Sequence, residues 1–153
     1  MSRRVPPLVL VALLGAGVAG CADGATKEAN AYVEALNAAQ QQFDHRGEEL
    51  RDRISDLPTK QSEAALDDFS GAADDFAASL RDIDAPAAVR SLHEKLISAV
   101  TRFGGSLREA RGDIASGDAG RILDGQEELS DANAAFGRRF DSTITAINDA
   151  LRD

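Results

Sequence analysis

Leu66, Phe69, Ala73, Phe76, Leu80 and Ile83 recur at strictly alternating steps of three and four residues. At 3.6 residues per turn that spacing lines all six along one narrow side of an α-helix, whereas a strand would scatter them over both of its faces. Asp67-Asp68 and Asp74-Asp75, seven residues apart, fall on the outer side of the same helix as a solvated face. The period continues to either side. Ala29, Tyr32, Leu36, Ala39, Phe43, Leu50, Ile54 and Leu57 form one stripe before it. Val89, Leu92, Leu96, Ala99, Phe103, Leu107, Ala110 and Ile114 form another after it, and Ile122, Leu129, Ala132, Phe136, Phe140, Ile144, Ile147 and Leu151 a fourth. No stretch alternates with period two, so no strand is expected.

The breaks between stripes carry their own signals. Thr26 is an N-cap candidate for the first helix, after a short linker at 21–25. Pro58 disfavours helical backbone at the residue before it, and Pro86 in Asp84-Ala85-Pro86 suits the first turn of a new helix. Ser116-Gly117-Asp118 supplies a glycine stop followed by a cap. These signals predict helices at 26–57, 59–83, 86–115 and 118–152. With connections this short, each helix turns back on the one before. The expected fold is all-α, an elongated antiparallel up-down-up-down four-helix bundle over residues 26–153. A monomer is expected, with a pair of helical hairpins completing a bundle in a dimer as the other arrangement. The exposed turns at 56–59 and 116–120 would lie together at one end.

Upstream, Arg3 and Arg4 precede the apolar run Leu8 to Val18, which is too short to span a bilayer as a helix. The run closes in Val18-Ala19-Gly20-Cys21, with small residues ahead of the chain's single cysteine. This segment resembles a bacterial lipoprotein signal ending in its lipobox. The resemblance implies that residues 1–20 are a cleaved signal peptide, that Cys21 is lipidated, and that the protein is held on the extracytoplasmic face of the cell membrane. Pro6 and Pro7 stand where a twin-arginine signal wants apolar residues, which favours the general secretion route. With Arg3 and Arg4 removed, the net charge of −9 becomes −11. A polyanion of that kind is repelled by nucleic acid and by anionic headgroups, so nucleic-acid binding is excluded.

Little else in the chain has the spacing of a reactive site. The two histidines are His45 and His93, and Gln42 and Arg90 stand three residues before them, where a carboxylate-bridged metal site wants glutamate. His93-Glu94 begins a zinc-protease helix motif that Ile97 fails to complete. His93 therefore reads as a boundary residue beside Leu92 and Leu96. The paired aspartates are too far apart along a rigid helix to converge on calcium. No nucleophile is grouped with a base, and no enzyme activity, metal or cofactor is expected. Gly104-Gly105, inside the third helix, breaks the pattern at a cost of about 2 kcal/mol against alanine. Either it allows close packing against a bulky side chain, with Phe136 or Phe140 as candidates, or it opens a kink or a ligand cavity.

Tyr32-Val33-x-x-Leu36-Asn37, Ala85-Pro86-x-x-Val89-x-x-Leu92-His93-x-x-Leu96 and Ile147-Asn148-x-x-Leu151 resemble small helical lipoproteins of high-GC Gram-positive bacteria. That resemblance supports the fold and lends no activity. Two functions fit: a binding or scaffolding module for an envelope protein partner, or a carrier of a small apolar ligand in the bundle core. A lumen lined by small residues around 103–105 would favour the carrier, and a filled core the module.

Overall fold

The computed structural model describes residues 22–54 and 59–152. Four helices account for nearly all of them: α1 (Ala22–Ile54), α2 (Thr59–Arg81), α3 (Arg90–Ile114) and α4 (Ala119–Ala150). No strand occurs among the described residues. Each helix packs against its neighbour in sequence, α1 on α2, α2 on α3 and α3 on α4. The fold is the expected antiparallel four-helix bundle. Its fourth seam differs from the others, because no Cα of α1 comes within 8 Å of one in α4.

Side chains close what the backbones leave open. The chain has six phenylalanines, and all six belong to one cluster that draws on every helix. Phe43 of α1 stacks on Phe76 of α2 at a centroid distance of 4.8 Å, and Phe103 of α3 stacks on Phe136 of α4 at 4.5 Å. An edge-on contact of 6.2 Å between Phe43 and Phe136 bridges the seam between α1 and α4. Around the rings lie Tyr32, Leu36, Leu80, Leu96, Val100, Leu107, Ile144 and Ile147, all essentially inaccessible to solvent. The described parts of the predicted stripes therefore line the core, with several members, Phe43, Phe69, Leu92, Leu129 and Phe136 among them, only partly buried. Leu57 and Pro58 lie outside the described residues.

The boundaries depart from expectation in two places. Residues 22–25 are not a linker, since α1 begins at Ala22, and Thr26 is inside the helix instead of capping it. Pro86 does not open α3. It sits buried in the connection, its carbonyl accepts from the Val89 N–H at 3.0 Å, and α3 starts only at Arg90. No side chain caps α3. Val89, fully buried, occupies the N-cap position and seals the core from that end. The turn between α3 and α4 follows the sequence closely. Gly117 takes a φ of 73°, and the Asp118 carboxylate accepts from Gly120 N and Arg121 N, each at 3.0 Å.

The aspartate repeat of α2 is more than a solvated face. Asp67 pairs with Arg111 at 2.7 Å and Asp74 with Arg108 at 2.8 Å, both on α3, while Asp75 pairs with Arg46 on α1. The Arg111 Nε contact lacks hydrogen-bond alignment and acts as an ion pair. All of these partners are solvent-exposed or partly so, which holds each pair to roughly 0–1 kcal/mol. Their effect is on register, because they tie one helix to both of its neighbours.

Gly125 sits at a close approach of α4 to α3. A Cβ there would lie 2.9 Å from the Ala110 carbonyl oxygen, 3.0 Å from Asp113 Cβ and 3.2 Å from Ile114 Cγ1. Because backbone is in the way, Gly125→Ala should destabilise the bundle by about 1–3 kcal/mol despite the better helix propensity of alanine. Phe76→Ala, which empties a buried position in the ring cluster, should cost about 3–5 kcal/mol. Urea denaturation followed by circular dichroism measures both, and an unchanged midpoint for either variant would contradict this packing.

Candidate functional site

The expected site residues divide into those the fold describes and those it does not. Val18, Ala19, Gly20 and Cys21, the lipobox, lie outside the described residues.

Gly104 and Gly105, adjacent in sequence, have different surroundings. A Cβ on Gly104 would meet Asp74 Oδ1 at 3.3 Å and Ala73 Cβ at 3.4 Å. The close packing is therefore real, but the partner is α2, and neither Phe136 nor Phe140 approaches that position. A Cβ on Gly105 would meet nothing within 4 Å. α3 remains helical through both, and Phe103 beside them is stacked on Phe136.

The most organised polar group in the interior was not anticipated. His93, expected at the core boundary, is 5% exposed. Its Nε2 lies 2.8 Å from the Leu80 carbonyl oxygen, and its Nδ1 lies 3.1 Å from the Tyr32 hydroxyl. A carbonyl can only accept, so Nε2 carries a proton and donates to it. In the neutral ring Nδ1 then accepts from the Tyr32 O–H. Leu80 lies in the last turn of α2, where carbonyls lack a helical partner, and its oxygen also accepts from Ile83 N at 3.2 Å. His93 thus ends α2 from within α3 and pins α1 through Tyr32. Every polar atom of the trio has a partner, and neither ring nitrogen is left for a metal or a proton relay. The sequence signal was available in retrospect: the chain's single tyrosine sits on the core stripe of α1, and a buried hydroxyl needs a partner.

His45 is exposed and lies 3.5 Å from Glu49 one turn on, a surface pair. No group of three or more histidine, cysteine, aspartate or glutamate side chains converges on a metal position among the described residues. An open groove of about 720 Å³ runs along the outside of the α1–α2 seam. Ala38, Ala39 and Ala72 leave room there above Phe43 and Phe76, and both Arg46 and Asp75 line it. Its lining combines the core residues Ala39, Ala72 and Phe76 with exposed polar ones, and it opens to solvent. Among the described residues no helix is long and apolar enough to cross a membrane. No protein-family model matches the chain, and neither curated proteins nor solved structures yield a similar one.

Two outcomes follow from these placements. Burial pushes the Tyr32 hydroxyl up from 10.0 to about 12. Below the lower value both folded and unfolded chains keep the proton. Between the two values only the unfolded chain loses it, so stability should fall as pH rises through that window. Tyr32→Phe should abolish this alkaline slope. It should also cost about 1–2 kcal/mol at neutral pH by leaving His93 Nδ1 without its donor. With one tyrosine and no tryptophan, tyrosinate absorbance reports the titration directly. Second, Gly105→Ala should stabilise by up to about 1 kcal/mol, and Gly104→Ala should gain less because Ala73 and Asp74 must give way. Equal gains for the two would contradict the packing described.

Proposed function

We propose that the protein is a membrane-anchored extracytoplasmic lipoprotein whose helical bundle serves as a binding or scaffolding module. The observation that carries this reading is Val18-Ala19-Gly20-Cys21, which places the chain's one cysteine where acylation needs it, behind a basic start and a short apolar run. Two acyl chains suffice to hold a protein stably on a bilayer, so no spanning helix is required.

Between module and carrier, the interior favours the module. A carrier needs space near Gly104 and Gly105. Phe103 and Phe136 stack at that level, Gly104 faces Ala73 at contact distance, and Gly105 is not on the core side. The function proposed is therefore recognition of an envelope protein partner by the outer surface, without catalysis or a cofactor.

Cys21→Ser tests the anchor. The variant should lack the acyl mass expected on the wild-type N-terminal peptide and keep its signal segment, so that it runs larger than the mature protein. A serine variant of mature size that still partitions with detergent would refute the assignment.

A further inference from the structure

We propose that the start of α1 is a rigid helical spacer that stands the bundle upright on the membrane. This inference rests on the anchoring at Cys21 proposed above. α1 is helical from Ala22, the residue after Cys21. Residues 24–28 are all exposed, Ala29 is the first partly buried residue, and Tyr32 is the first buried one. At the level of Tyr32, α2 is ending and α3 has only just begun. The Tyr32 hydroxyl meets His93, three residues into α3, and that histidine in turn meets Leu80, one residue before α2 stops. The first turns of α1 therefore project beyond the bundle. Residues 22–28 span about 10 Å as a helix.

A helix of seven residues would not form alone, because nucleation is costly. Here the nucleus is supplied by the packed turns from Tyr32 onward, and each residue toward Cys21 only extends it. Ala22, Ala25, Lys27, Glu28 and Ala29 are good helix formers, no proline interrupts them, and Asp23 complements the N-terminal dipole. Gly24 is the weakest position, with Thr26 also a poor helix former.

Charge reinforces the direction. The chain after residue 20 carries −11, two units beyond the −9 of the whole sequence because Arg3 and Arg4 are gone. Anionic headgroups repel such a surface, and the repulsion decays over about 8 Å at physiological ionic strength. A spacer of about 10 Å keeps the near end of the bundle beyond that distance. A bundle lying flat would bring whole acidic flanks inside it. Counting along the axis from Ala22 to Tyr32, and then from His93 to Gly117, the turn between α3 and α4 stands about 50 Å from the anchor. That turn is then the part most accessible to a partner.

Energy transfer from a fluorophore on Ala119→Cys to acceptor lipids, in anionic vesicles carrying the full acylated protein, measures this height. The unmodified spacer should give a narrow distribution near about 50 Å. Replacing Thr26, Lys27 and Glu28 together by glycine should broaden the distribution and lower its mean, while replacing the same three by alanine should leave it unchanged. The two variants lose the same charges and none of the core, so their difference isolates helicity. A label near the bilayer in the unmodified protein, or identical glycine and alanine variants, would overturn the spacer. Absence of the acyl mass on Cys21 would overturn the anchor as well, which separates the two failures.

Discussion

Everything in this bundle depends on six aromatic rings meeting in one place. The seams between helices are rich in alanine, with Ala65, Ala72, Ala73, Ala77, Ala99 and Ala110 all buried, and residues that small remove little apolar area from water. They permit close approach, and the phenylalanines supply the area. Phe43 and Phe136 each touch three other rings, and their mutual contact is shared by two closed circuits, one through Phe69 and Phe103 and one through Phe76 and Phe140. Edge-on and offset stacking adds to plain burial, and it fixes orientation as well as proximity. Since α1 and α4 make no backbone approach, this shared contact joins the two ends of the chain across the core.

Where several local signals agree, the fold was legible from the sequence. The three-four alternation from Leu66 to Leu80 reappears as the core side of α2. Gly117 and Asp118 perform the stop and the cap that their side chains allow. Expectation failed where one residue served two purposes. Pro86 is compatible with a first helical turn, but burial of Pro86 and Val89 in the connection delays α3 to Arg90. Thr26 has the chemistry of a cap, yet helix propagation from packed turns runs past it. Gly125 carries no apolar side chain and so is invisible to a periodicity argument, although it lets α4 approach α3 closely.

Of the candidate site residues, Cys21 lies outside the described residues, and its proposed role rests on linear sequence alone. The paired glycines were legible only as an anomaly, since which of two adjacent residues faces a neighbour depends on helix rotation. His93 was misread for a related reason. The sequence shows it between Leu92 and Leu96, but not that the unsatisfied end of α2 lies opposite. A polar side chain in a core stripe is ambiguous until the backbone that needs it has been placed.

Serial packing also has a bearing on how the chain finds its fold. All backbone approaches join helices adjacent in sequence, through connections that close loops of only a few residues. Loop-closure entropy rises with loop length, and domains dominated by local contacts fold fastest. Hairpins of α1–α2 and α3–α4 can therefore assemble without waiting for the opposite end of the chain. The long-range step is reduced to docking side chains, chiefly Phe43 on Phe136 and Tyr32 on His93. Contact between the first and last helices makes the least demand on backbone precision, so no backbone-paired closure between the two ends of the chain is required.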